Sequence, residues 1–239
     1  MIAGRERAWK TPISMLRGSQ QAQPATSGDL TRAQRADATR ELILTTAERL
    51  FAEHGLSSVS NRQIGEAAGQ GNNTVVVYHF GSKIDLIRAI LRQHAAQVRP
   101  LYSRVLADTA ASAELSAWVR CVVRPFTMHL DMLGSPTWFA RFLAQATTVP
   151  AVRDIAMAEW FEAIPMLPVV EHVIELLPDL PTEVWLERND MARLLMVHVC
   201  AEREHALAEG HATHRPSWLD VEATLVDAIV AILRTPARR

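Results

Sequence analysis

The chain has 239 residues, with 49% hydrophobic and 21% charged side chains and a formal net charge of −1. That is enough to bury a substantial core in one large domain or two unequal ones. It excludes a disordered polyampholyte, and no apolar run approaches the roughly 18 residues that a membrane-spanning helix needs. The first twenty residues lack the apolar core of a secretory signal, and the two cysteines, Cys121 and Cys200, form no CxxC pair. A reducing cytoplasm is therefore the expected setting.

Residues 1–37 carry six basic side chains against three acidic ones, a local charge of +3, while residues 38–83 balance and the remainder is −4. The first segment, with QQAQPATSGD, shows no sustained periodicity and is expected to be a flexible basic arm. A helical pattern starts near Ala38: Ile43, Ala47, Leu50, Phe51 and His54 share a face, and Gly55 is placed to end it. Ser60 followed by Gln63 is a capping box, predicting a short helix from Asn61 to about Gly69. Ser82 with Asp85 repeats the start signal ahead of IDLIRAILRQHAAQV, a long helix that Pro100 should kink or end.

Between these two capped helices stands GNNTVVVYHFGSK, residues 71–83. Its valines and aromatics favour a strand by propensity. No other segment alternates convincingly, so a strand here would leave its backbone groups unpaired. The expectation is a short helix from Asn73 to Tyr78, with some valines packed inward and at least one facing out. Beyond residue 100 helices are expected at about 112–133, 136–146, 150–176, 182–209 and 217–234, an all-α chain throughout.

A helix closed by Gly55, a capped short helix, a tight turn and a second short helix make a helix-turn-helix. Together with AERLFAEHG (47–55), IGEAAG (64–69) and YHFGSK (78–83), residues 38 to 92 closely resemble the N-terminal DNA-binding domain of the tetracycline-repressor (TetR) family. Two departures stand out. The turn before Phe80 is one residue longer than the common family pattern, and Val77 stands where tyrosine is common.

The resemblance implies an arm at 1–37, a three-helix DNA-binding domain at 38–84 and a helical ligand-binding and dimerisation domain at 85–239. A six-residue helix is about 9 Å long and fits end-on into a major groove about 12 Å wide. Asn72, Asn73 and Thr74 would face base edges, and Val77 a thymine methyl. Family resemblance implies phosphate contacts from Asn61, Arg62, Tyr78, His79 and Lys83. As arms do elsewhere, the N-terminal arm could add minor-groove or phosphate contacts through Arg32, Arg35 or Arg40.

In the C-terminal body Trp118, Val122, Phe126 and His129 fall along one helical face, and Trp138, Phe142 and Trp160 supply further aromatic surface. The bland reading of each is helical core; the resemblance implies a pocket among them for a small apolar or aromatic effector. Trp218, Val221, Leu225, Ala228, Ile229 and Ile232 form one stripe, and Met191, Leu194, Leu195, His198 and Ala201 another. These last two helices are expected to pair with a second copy as the family's four-helix dimer. His198, Glu202 and His205 share a face, yet three ligands from one helix rarely close a metal site, and neither metal nor cofactor is expected.

The resulting expectation is a transcriptional regulator, a repressor, that binds a pseudo-palindromic operator as a dimer and is released by a small molecule. The alternative is a helical ligand-binding or adaptor protein that has lost DNA binding. No P-loop, dinucleotide fingerprint, GxSxG or HExxH supports an enzyme.

Overall fold

A computed structural model describes residues 31–70 and 74–237. Among the described residues every regular element is an α-helix, and there are ten: α1 Arg32–His54, α2 Asn61–Ala67, α3 Val75–Phe80, α4 Lys83–Thr109, α5 Leu115–Leu133, α6 Phe139–Thr148, α7 Pro150–Ala163, α8 Leu167–Glu175, α9 Thr182–Ala208 and α10 Trp218–Arg234.

α1 starts six residues earlier than the apolar period indicated, so residues 32–37 are helix and not arm. A capping box is the cause: Thr31 Oγ1 accepts from the Gln34 N–H at 3.3 Å, and the Thr31 N–H donates to Gln34 Oε1 at 2.8 Å. That first turn is solvent-exposed, so hydrophobic periodicity carried no trace of it. Gly55 ends α1 with φ +84°, a conformation that a residue with a Cβ adopts only at a cost, and its N–H reaches Phe51 O at 3.0 Å.

α1, α2 and α3 pack around the start of α4. The Ser60–Gln63 box forms as expected, and Ser82 Oγ accepts from the Asp85 N–H at 3.1 Å. The valine run is helical: Val75 and Val76 are buried while Val77 and Tyr78 are exposed. Burial against α2 and α4 outweighs a β propensity that spans only about 1 kcal/mol.

α4 does not stop at Pro100; it continues to Thr109. Pro100 lies on the exposed side, as does Ala96, whose carbonyl loses its donor and can turn to water. On the other side Val98, Leu101, Tyr102 and Val105 are buried, and α4 packs along α5 and α7.

The single helix expected at 150–176 is two. Ile164 precedes Pro165, which disfavours the helical region for it, and it sits at φ −118°, ψ 113°. The break is held by Tyr102, whose hydroxyl donates to Pro165 O at 2.9 Å. Burial pushes that phenol up to about 12, so it remains a donor across the physiological range.

In the body α10 packs on α5 and α9, α6 on α9 and α7, and α8 on α5. α1 lies against α6, so one hydrophobic core runs from the first three helices into the rest.

Candidate nucleic-acid interface and effector cavity

Between α2 and α3, residues 71–73 lie outside the described residues; Asn72 and Asn73 are among them. α3 begins after Thr74, its exposed N-cap residue, and runs Val75–Phe80, two positions later at each end than the expected Asn73 to Tyr78. Its outward face carries Val77, half exposed, and Tyr78, 79% exposed, with the Tyr78 and His79 rings edge to face at 5.1 Å. Arg62 stands exposed on the first turn of α2 and pairs with Glu66 at 3.3 Å. Asn61 is half-buried there, with its Oδ1 enclosed and without a donor among the described residues.

Lys83 is used differently from the expectation. Its ammonium donates to the carbonyl of Leu56 and, at 2.6 Å, to Val59 O, and lies 5.5 Å from the Phe51 ring. Burial pulls its pKa below the ordinary lysine value. The side chain thus ties the α1–α2 turn to the start of α4, which leaves at most one donor for a phosphate. Arg40 likewise lies 4.9 Å from the centre of the Phe80 ring, against its own domain.

The helix-turn-helix is joined to the body by buried polar and aromatic contacts. Glu48 on α1, His94 on α4 and His129 on α5 form a chain: His94 Nε2 is 2.9 Å from Glu48 Oε2, and His94 Nδ1 is 2.8 Å from His129 Nε2. The charge-consistent arrangement has His129 donating to His94, which donates to the Glu48 carboxylate. Burial, with His94 beside it, pulls His129 down to about 4, so its ring is neutral near pH 7. Phe139 stacks on His94 at 3.7 Å, and Phe51 stacks on Phe142 at 6.1 Å.

A second link joins α4 to α7. Buried Glu159 accepts from Arg92 Nε at 2.6 Å and Arg92 Nη2 at 3.0 Å, with Arg88 Nε at 3.6 Å. Two parallel guanidinium bonds fix relative orientation as well as distance.

Adjoining α7 is a cavity of about 150 Å³ bounded by α5, α6, α7, α8, α9 and α10. Of the seven expected lining residues, Val122, Phe126 and Trp160 line it. The other four are occupied elsewhere. Trp118 stacks on His172 at 4.0 Å and donates to Ser112 O; His129 and Phe142 are committed to the inter-domain contacts; Trp138 lines a separate surface groove. A helical face names which side chains align but not which neighbouring helix they meet. Walls that the sequence reading did not assign include Met157, Phe161, Met166 and Met196, together with Trp185, Asn189 and Arg193 of α9. The i, i+4, i+8 spacing of the last three was a legible polar stripe.

The two stripes expected to form a dimer also divide. Trp218, Val221, Leu225 and Ile229 of α10 are buried within the chain, against α5 and α9. On α9, Met191 and Leu194 are exposed, 54% and 42%, next to exposed His198. His198, Glu202 and His205 line the polar surface groove with Trp138 and Arg141.

Residues 43–90 match the domain described as "Bacterial regulatory proteins, tetR family". The HTH-type transcriptional repressor AcnR of Corynebacterium glutamicum is 37% identical over 65 residues, 27% of this chain and 34% of AcnR. The HTH-type transcriptional repressor NicS of Pseudomonas putida is 33% identical over 92 residues, 37% of this chain and 43% of NicS. The matched stretch thus spans about a third to two fifths of these relatives. A TetR family transcription regulator from Marinobacter aquaeolei VT8 shares the fold at 16% identity and a TM-score of 0.53, covering 84% of this chain and 97% of that one. Another, from Shewanella sp. PV-4, does so at 16% identity and a TM-score of 0.50, covering 82% and 95%. Residues 43–90 are therefore a DNA-binding domain of the tetR type, set in an all-helical chain whose fold is shared with those two solved structures.

Proposed function

We propose that the protein is a DNA-binding transcriptional regulator, a repressor, that binds a pseudo-palindromic operator as a homodimer and is released by a small effector in the C-terminal cavity. The observation that carries this reading is α3. It is a six-residue helix with its first two valines buried and a valine and a tyrosine that no described residue covers. Exposed apolar and aromatic side chains on so short a helix suit a groove and its phosphates better than water. The relatives AcnR and NicS are named transcriptional repressors, which supports the same sign of regulation.

In this reading Thr74 and Val77 face bases, with Asn72 and Asn73, which precede them in the sequence. Arg62, Tyr78 and His79 hold phosphates, Asn61 lies at the same edge, and Lys83 acts chiefly by fixing the α1–α2 turn. The unit is residues 31–84 with the body behind it. The second copy docks on the exposed Met191, Leu194 and His198 face of α9, with α10 as its inner support. A two-fold dimer is a physical requirement, because one short helix reads few base pairs and two read a spaced pair of half-sites.

Release follows from the links. An effector lodged against Met157, Trp160 and Phe161 displaces α7, and the Glu159–Arg92 fork passes that displacement to α4, whose first residues carry the helix-turn-helix. The α1–α6 contact keeps the unit from moving independently. The effector shifts the equilibrium only by the amount it prefers the conformer whose half-site spacing is wrong.

The test is selection of bound duplexes from a random DNA pool, followed by titration of the recovered site at several salt concentrations. A two-fold-related pair of half-sites, with affinity falling steeply as salt rises, is expected. Recovery of no preferred sequence would leave the alternative, a helical ligand-binding protein without DNA recognition.

A further inference from the structure

The α9 wall of the cavity is unlike the others. Phe126, Met157, Trp160, Met166 and Met196 make the cavity apolar, but Trp185, Asn189 and Arg193 enter along a single stripe of α9. The Arg193 side chain is 16% exposed; its Nη2 donates to Asp190 Oδ1 at 3.0 Å, while its Nη1 is enclosed and has no acceptor among the described residues. The indole Nε1 of Trp185 is also enclosed and without an acceptor.

Both groups donate only, and a guanidinium keeps its charge at any physiological pH. Buried donors are almost always paired in folded proteins, so two orphans on one wall of a cavity mark the place of an acceptor. A cation favours an anionic acceptor, and a carboxylate has two oxygens with which to take bonds from donors on the same wall. Asp190 does not fill this role, because its carboxylate is largely in solvent and holds the other guanidinium nitrogen. The volume sets the rest: an apolar cavity of about 150 Å³ holds one benzene-sized body.

We infer that the cavity takes a small carboxylic acid as its anion, with a single ring or a body of that size against the methionines and aromatics and its carboxylate on Arg193 Nη1 and Trp185 Nε1. This rests on the reading of the cavity as the effector site and gives that effector a chemical class.

The experiment is calorimetric titration of the full chain with benzoate, phenylacetate and 3-phenylpropanoate, each beside its primary amide. At least one acid should bind, with its amide weaker by about tenfold or more, the scale of a hydrogen bond to a charged group. Arg193→Met should abolish the preference for acid over amide without lowering the thermal midpoint of the unliganded protein, since it removes an enclosed, unpaired Nη1 and gives up only an ion pair with the largely exposed Asp190. Trp185→Phe should weaken the acid several-fold, and it keeps the test decisive if the arginine variant does not fold. Amides that bind as well as acids, or a preference that survives Arg193→Met, would overturn the inference while leaving the cavity as an effector site. Binding by neither series would overturn both.

Discussion

The helix-turn-helix and the C-terminal body are both helical, yet they are specified in different ways. In the first, three helix starts are fixed by side chains three residues apart: Thr31 with Gln34, Ser60 with Gln63, and Ser82 with Asp85. α3 is the exception there, with no side-chain cap bond. In the second, Ser217 with Asp220 starts α10 in the same way, but α5, α6, α7, α8 and α9 have no side-chain cap bond at their starts, and their positions depend on distant partners. Glu204 of α9, for example, accepts the Ala140 and Arg141 N–H groups at the start of α6, both at 3.0 Å. A unit built on local pairs can present one constant surface while the body behind it varies.

The boundary between the two is the place to break this contrast. Phe51→Ala removes a fully buried ring that stacks on Phe142 across it. A loss of about 3–5 kcal/mol in denaturant unfolding is expected. If the regions were energetically independent, Phe142→Ala would add to it in full; we expect the double variant to fall short of the sum.

Acid should strain the same boundary. His129 is held near 4, below its ordinary 6.5. The unfolded chain therefore takes up a proton that the folded chain refuses, so the stability from the neutral ring is present above pH 6.5 and lost as pH falls toward 4. About 2 kcal/mol should be gone by pH 5, read as a shift in the urea midpoint. His129→Gln should flatten that dependence.

Lys83→Met tests whether this lysine belongs to the fold or to the DNA. It strips the Leu56 and Val59 carbonyls of their donor and should cost roughly 1–2 kcal/mol. A variant of unchanged stability and much weaker DNA binding would return Lys83 to the phosphates. Ser60→Ala, which touches only a local pair, should cost about 1 kcal/mol. Smallest in stability is Tyr78→Ala, within about 0.5 kcal/mol because the ring is exposed. Its DNA affinity should nevertheless drop about tenfold by gel shift, and unchanged affinity would remove α3 from the interface.

The local devices were legible in the sequence: the caps at Ser60 and Ser82, the stop at Gly55, and a helical rather than extended valine run. The capping box at Thr31 obeys the same rule, but its turn is exposed and leaves no mark in the apolar spacing. Pro100 and Pro165 show why the body was harder to read. Both are prolines in apolar helical sequence, yet α4 passes through one and the chain breaks at the other. The difference is that buried residues on both sides of Pro100 hold α4 in line against α5 and α7, whereas Tyr102 holds the turned chain at Pro165.

The sequence by itself determined that this chain is all helix, with a capped helix-turn-helix near its start, because capping and periodicity act within a few residues. Only the tertiary structure decided which faces meet. It buried the α10 stripe inside the chain, moved Trp118, His129 and Phe142 away from the cavity, and brought Trp185 and Arg193 to its wall. Helical spacing fixes the direction of a side chain about its own axis; what stands opposite depends on how the other helices cross it.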